Sequence, residues 1–366
     1  MFDLAIYRDA LGAWFEKVAS DLDEGRFRYS TEGSLIPIEG NAAFFSTCFA
    51  LKAAWNCGLH FKWPAERVKG GLEFLASNQR EDGYFADPFL ADVPVPTWKT
   101  YIAAILRLCE WPVPARIQRE RNLRADTRQI ASVLLEYGHK LRYPLPAGLT
   151  SPDKAVEYFH SLDWTTPWGC ASHLSHEMFF LSVNNRMFRN VDDYESVVNA
   201  VCGCLATIQR DDGCWYEGDI PDNMKINGAM KVFSMLNWLD RPFPDSSALM
   251  RFALSQPFES DGCGFLNRLY VVWNASRGCD STKYCHQINT LVADSVAHLQ
   301  RFIRDDGGFS FFPDRAESSY FGCQVTCGLP ESDMHGAVMF TWALAMCVDL
   351  APELFQHRSG WKPMHT

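Results

Sequence analysis

The stretch IQRDDGCWYEG, residues 208–218, closes an apolar run with a basic residue, two acids, a glycine and an aromatic side chain. Nearly the same string recurs as NQREDGYF at 78–85 and FIRDDGGF at 302–309. SQPFESDGCGF (255–265) is a longer copy, and SDLDEGRFRYS (20–30) reads as a degenerate first one. Gly83, Gly213 and Gly307 fall where a helix ends, so a positive φ is expected at each. Phe85, Trp215 and Phe309, two residues on, are expected to tuck back against the helix ends, and Gln79 and Gln209 to hydrogen-bond helix-end backbone groups of a neighbouring repeat. Turn chemistry alone accounts for such strings. Their use is to mark a repeat, and a repeat decides architecture.

Between the turns lie six segments too apolar for one-sided surface helices: 40–55, 95–109, 167–181, 224–239, 283–299 and 332–347. Each is expected to be buried nearly all round. Amphipathic helices alternate with them, opening on Pro64, on Asp192 and Asp193, and on the Asp245-Ser246-Ser247 cap region. About six hairpins with apolar members facing inward predict an all-α fold, an (α/α)6 barrel of six inner and six outer helices. Residues 1–366 are expected to form this one toroidal domain. An open solenoid would leave its concave face wet, which the apolar inner set disfavours.

Composition excludes several classes of function. The net charge is −10 with Lys and Arg scattered, which argues against a nucleic-acid surface. No apolar run is long enough to span a bilayer, and the amphipathic, acid-bearing start MFDLAIYRDALGAWFEKV does not resemble a secretory signal, so a cytoplasmic protein is expected. The 13 cysteines form no framework and mostly lie in apolar helices, as in a reducing compartment. The 26 Phe, 12 Trp and 12 Tyr can fill a wide core, and some can line a cavity.

The Gln-x-x-Asp-Gly-x-aromatic turns resemble the QW-type repeats of the terpenoid-cyclase and protein-prenyltransferase superfamily, which folds as α/α toroids. The resemblance spans nearly the whole chain as architecture and implies a single toroid, close in style to a single-domain class II terpene cyclase. Members of that class begin one inner helix with Asp-x-Asp-Asp-Thr-Ala, whose middle acid protonates an alkene or epoxide. Laid on PESDMHGAVMFTWAL (330–344), Glu331 takes the first acid and Asp333 the proton-donating one, while Met334 and His335 replace the following Asp and Thr. The resemblance therefore implies Asp333 as acid with Glu331 and His335 as partners, acting on an isoprenoid or other alkene in an apolar chamber.

Read as chemistry, two nearby carboxyls at an apolar entrance can keep one of them protonated. Read as structure, the same acids cap a helix. Trp98, Trp164 and Trp168 are candidate cavity aromatics, where ring faces would steady a carbocation. Lys225, Asp280, Lys283 and His286 are candidate substrate-binding residues at inner-helix starts, with Asp92, Asp163, Asp219 and Asp222 among their neighbours. His173 and His176 share a helix face and lack an evident third metal ligand. The prenyltransferase zinc pattern places Cys285 and His335 on two ligands but Lys283 on the third, so no zinc and no other cofactor is expected. Magnesium enters only with a diphosphate substrate. The expected partner is a hydrophobic small molecule, with no nucleic acid, on a monomer or homodimer. Three alternatives stand beside this reading. One is a carbohydrate-active α/α-barrel lyase, epimerase or hydrolase, another a zinc prenyltransferase β-subunit-like protein, and the third a toroidal scaffold without catalysis.

Overall fold

All three recurring turns close in the same way. Gly83, Gly213 and Gly307 take φ values of 84°, 84° and 100°. Asp82, Asp212 and Asp306 each accept a hydrogen bond from the backbone N–H two residues on. Antiparallel bridges join Gln79 to Phe85, Gln209 to Trp215 and Ile303 to Phe309, and the three aromatic rings are buried. Gln79 also spans to the next repeat: its Oε1 accepts from Arg142 N at 2.7 Å and its Nε2 donates to Tyr143 O at 2.8 Å. A Cβ on Gly83 would lie 2.0 Å from the Pro144 carbonyl oxygen. With the positive φ added, Gly83→Ala is expected to destabilise the chain by roughly 2–4 kcal/mol, measurable by urea unfolding.

The computed structural model describes residues 1–21, 25–36, 44–87, 89, 102, 114–189 and 191–365. Six outer helices are α1 (Leu4–Val18), α3 (Ala65–Ser77), α5 (Pro152–Ser161), α7 (Tyr194–Ile208), α9 (Ser247–Ser255) and α11 (Cys285–Leu299). Six inner helices alternate with them: α2 (Phe44–Cys57), α4 (Ala115–Glu136), α6 (Pro167–Phe188), α8 (Asp222–Leu239), α10 (Gly262–Ala275) and α12 (Met334–Leu350). Each inner helix packs on the next, and α12 packs back on α2, so the ring closes. The fold is an all-α (α/α)6 barrel with three minor two-stranded sheets among the described residues. One sheet pairs Phe2–Asp3 with Phe355–Gln356 and ties the two ends of the ring together.

Two assignments within the ring differ from the sequence reading. The second inner position belongs to α4, while 95–109, apart from Ile102, lies outside the described residues. The polar string RIQRERNLRADTRQ disguised α4, because its first half buries Asn122, Asp126, Thr127 and Arg128, and the apolar run Ile130–Leu134 comes only in its second half. The fifth inner helix is α10, whose residues are nearly all buried. Segment 283–299 is largely the outer helix α11, with Cys285, His286 and Gln287 exposed.

Candidate active site in the lumen

The start of α12 is shaped by carboxylates that hold backbone. Asp306, from the last Asp-Gly turn, accepts from Ser332 N at 2.9 Å and from the Ser332 hydroxyl. Asp333 caps α12: its Oδ1 accepts from Gly336 N at 2.8 Å. Its Oδ2 accepts from Phe311 N at 2.7 Å and from Glu317 N at 3.0 Å. The side chain is fully buried, and burial together with the Glu317 charge pushes its carboxyl up to about 7, against the pull of those N–H groups. Glu331 accepts from Glu32 N and Gly33 N at 2.8 and 2.7 Å. These acids are pins that fold loops against the barrel mouth. Both oxygens of Asp333, the expected proton donor, accept from backbone N–H groups, the geometry of a helix cap.

His335, the second residue of the same helix, is differently placed. Its Nδ1 lies 2.9 Å from Glu317 Oε2, and that oxygen also accepts from the Tyr29 hydroxyl. Its ring stacks between Phe311 and Phe49, at 4.5 and 5.2 Å between centroids. Burial opposes its charge, but Glu317 and Cys263 outweigh it and raise the imidazole well above its ordinary range. Its Nε2 faces the Cys263 thiol at 4.0 Å. Tyr320 meets the His335 ring edge-on at 5.3 Å. Burial, then Asp126 and Glu317, push the Tyr320 hydroxyl up, so it stays a proton-bearing donor. Asp126 is itself held well above the carboxylate range by burial and the neighbouring Asp87.

Deeper in the ring the chemistry turns cationic. Asn227 and Lys231 form a partly accessible stripe on the otherwise buried centre of α8, as His173 and His176 do on α6. Such stripes mark the side facing the lumen. Arg128 donates to the Ser234 hydroxyl at 2.5 Å and lies over the Phe179 ring at 5.8 Å. Ser234 is one turn from Lys231, and Phe179 one turn from His176, so all three cationic-type side chains converge. Lys52 comes from α2, opposite α8 in the ring, and bonds Gln129 on α4. Burial chiefly, with Arg128 adding to it, pulls Lys52 and Lys231 down to about 8. Lys231 also feels the charge of Lys52. His176 is held neutral by burial, Arg128 and Lys231.

Most of the other residues singled out in the sequence do not join this site. Trp98 and Asp92 lie outside the described residues. Trp164 is buried against Phe159 of the outer helix α5, at 5.0 Å. Trp168 is 48% exposed at the first turn of α6. Asp280 and Lys283 pair at 3.6 Å on the surface turn before α11, and His286 is exposed beside them. Lys225 pairs with Asp222 at 2.8 Å and lies over the Tyr216 ring of the 208–218 turn. Among the described residues no three His, Cys, Asp or Glu side chains converge as a metal would require. Nor is any described helix long and apolar enough to cross a membrane.

No protein-family model matches the chain, and no curated protein matches it. Among solved structures it is similar to a polysaccharide lyase, with 14% identity and a TM-score of 0.43, covering 97% of this chain and 98% of that one. It is also similar to a GH76 α-mannanase from Bacteroides thetaiotaomicron, with 10% identity and a TM-score of 0.42, covering 96% of each. Neither is a terpene cyclase or a prenyltransferase, and the resemblance to that superfamily is corrected here, with the isoprenoid activity it implied. The physical reason lies in the lumen. A carbocation beside Arg128, Lys52 and Lys231 would meet like charge in a poorly screened interior, where such repulsion is strongest. Where a greasy chamber was expected, Lys52, Arg128 and Lys231 come close enough to influence one another's charge.

Proposed function

We propose that this protein is a carbohydrate-active enzyme that cleaves a glycosidic bond in the barrel lumen. His335 is the proton donor to the departing sugar oxygen. Glu317 keeps that imidazole charged and oriented, and the Tyr320 hydroxyl assists from the same mouth. The observation that carries this reading is the buried Glu317–His335 pair, at 2.9 Å, whose other ring nitrogen, Nε2, lies 4.0 Å from the Cys263 thiol. A positioned acid whose charge is held by a neighbour is what protonation of a leaving oxygen needs. The lumen also suits a hydroxyl-rich ligand, since Gln129, Asn227 and Asn267 both donate and accept. Trp168, half exposed at an inner-helix start, offers a ring face for a sugar at the rim.

The test is incubation of the purified chain with a panel of acidic and neutral polysaccharides, followed by assay of new chain ends. Wild type releases them from at least one member. A folded wild type that cleaves none of a broad panel counts against the proposal.

A further inference from the structure

Resting on the glycan reading above, we infer that the lumen carries an oxyanion subsite, formed by Lys52, Arg128, Lys231 and His176, and that the glycan it takes bears negative charge as a carboxylate or sulfate. Four helices contribute one residue each, α2, α4, α6 and α8, so the convergence is a property of the ring and not of one local turn. Arg128 is the hub: its guanidinium reaches Ser234 beside Lys231, overlies Phe179 beside His176, and follows in sequence just before Gln129, which binds Lys52. Lys231 is only half-buried and has no ion-pair or hydrogen-bond partner among the described residues, while the His176 Nδ1 is buried without one. Buried cations are ordinarily paired, because an unpaired charge loses its hydration without recompense. Here Lys52 meets a neutral amide, although the chain carries ten more acids than bases and could have supplied a carboxylate. A ligand oxyanion completes the arrangement. The Arg fork suits a planar carboxylate or a sulfate edge, and Lys and His fill the remaining acceptor positions. Cys263 is near enough to Lys231 for their charges to interact, and its Sγ lies 4.0 Å from His335 Nε2. A sugar held by its charged group is thereby placed within reach of the proposed acid.

The experiment is calorimetric titration of the full chain with three probes of equal length: an oligogalacturonate, a sulfated galactan oligosaccharide and a neutral mannan oligosaccharide. Wild type is expected to bind an anionic probe and not the neutral one, and whichever anionic probe binds tells carboxylate from sulfate. Lys231→Met is expected to weaken that binding by about tenfold or more, as loss of one charge-assisted contact does, and Lys231→Arg to restore most of it. Circular dichroism confirms that each variant is folded; should Lys231→Met not fold, Lys52→Gln replaces it. Equal binding of the neutral probe, failure of both anionic probes, or anion binding indifferent to both substitutions overturns the inference. The two proposals fail separately. Cleavage of a neutral glycan keeps the enzyme reading and sinks the anion subsite. Anion binding lost in Lys231→Met, with no glycan ever cleaved, does the reverse.

Discussion

Replacing His335 by glutamine is expected to lower the rate of glycan cleavage by roughly 10²–10⁴-fold while the barrel stays folded, the range a positioned general acid contributes. Glutamine keeps the length and a hydrogen bond toward Glu317, which accepts from His335 Nδ1 and from Tyr29, so the mouth holds its shape. It cannot release a proton. The pH profile carries the same signature. The imidazole is raised well above its ordinary range in the folded chain, so the active, charged form is present at neutral pH. Its loss comes as pH climbs through that raised value, and so does the stability the pair contributes, which is fully present below the ordinary histidine pKa. His335→Gln should remove this alkaline limb from both activity and stability. A variant that keeps near wild-type turnover would end the assignment of His335 as donor.

Truncating Asp333 to alanine is expected to cost about 4 kcal/mol of stability, because three buried N–H groups lose their acceptor and an unmade buried bond costs about 1–3 kcal/mol each without full additivity. The three are those of Gly336, Phe311 and Glu317, so the damage spreads from the helix cap to the loop that carries Glu317. Asp333→Asn should cost less, since one amide oxygen still accepts, yet its NH₂ meets donors where the carboxylate met them as an acceptor. Chemical unfolding measures both. At low temperature, where the folded fraction is restored, Asp333→Asn should retain measurable cleavage. Total loss of turnover in a fully folded Asp333→Asn would return the proton-donor role to Asp333.

The turns were the legible part of the fold, because Asp and Gly at a helix end have one local solution wherever they recur. Ring closure also followed, from apolar runs such as GNAAFFSTCFALKAAW and SDMHGAVMFTWALAMC, whose helices are buried all round. Helix α4 was not legible. Its inward face carries Asp126 and Arg128, so its pattern reads as a solvated surface although it faces the lumen. The same fact hid the site. Lys52 and Lys231 are each a single charge inside an apolar helix, in ALKAAW and AMKVFSM, and a lone charge in a buried run was the available signal. His335 stood out because it interrupts an otherwise recognisable acid motif. Glu317 and Tyr320 lie in the loop RAESSYFG, which has no periodicity to read, and they reach His335 only through the path that Asp333 and the last Asp-Gly turn impose.

The account rests on one charged ring, and nuclear magnetic resonance titration of the His335 imidazole measures it directly. Wild type is expected to show a midpoint above that of an ordinary histidine, and Glu317→Gln to bring that midpoint down, because the largest influence favouring the charged ring is removed. A His335 that is neutral at neutral pH in the wild type, or whose midpoint is unmoved by Glu317→Gln, would contradict it.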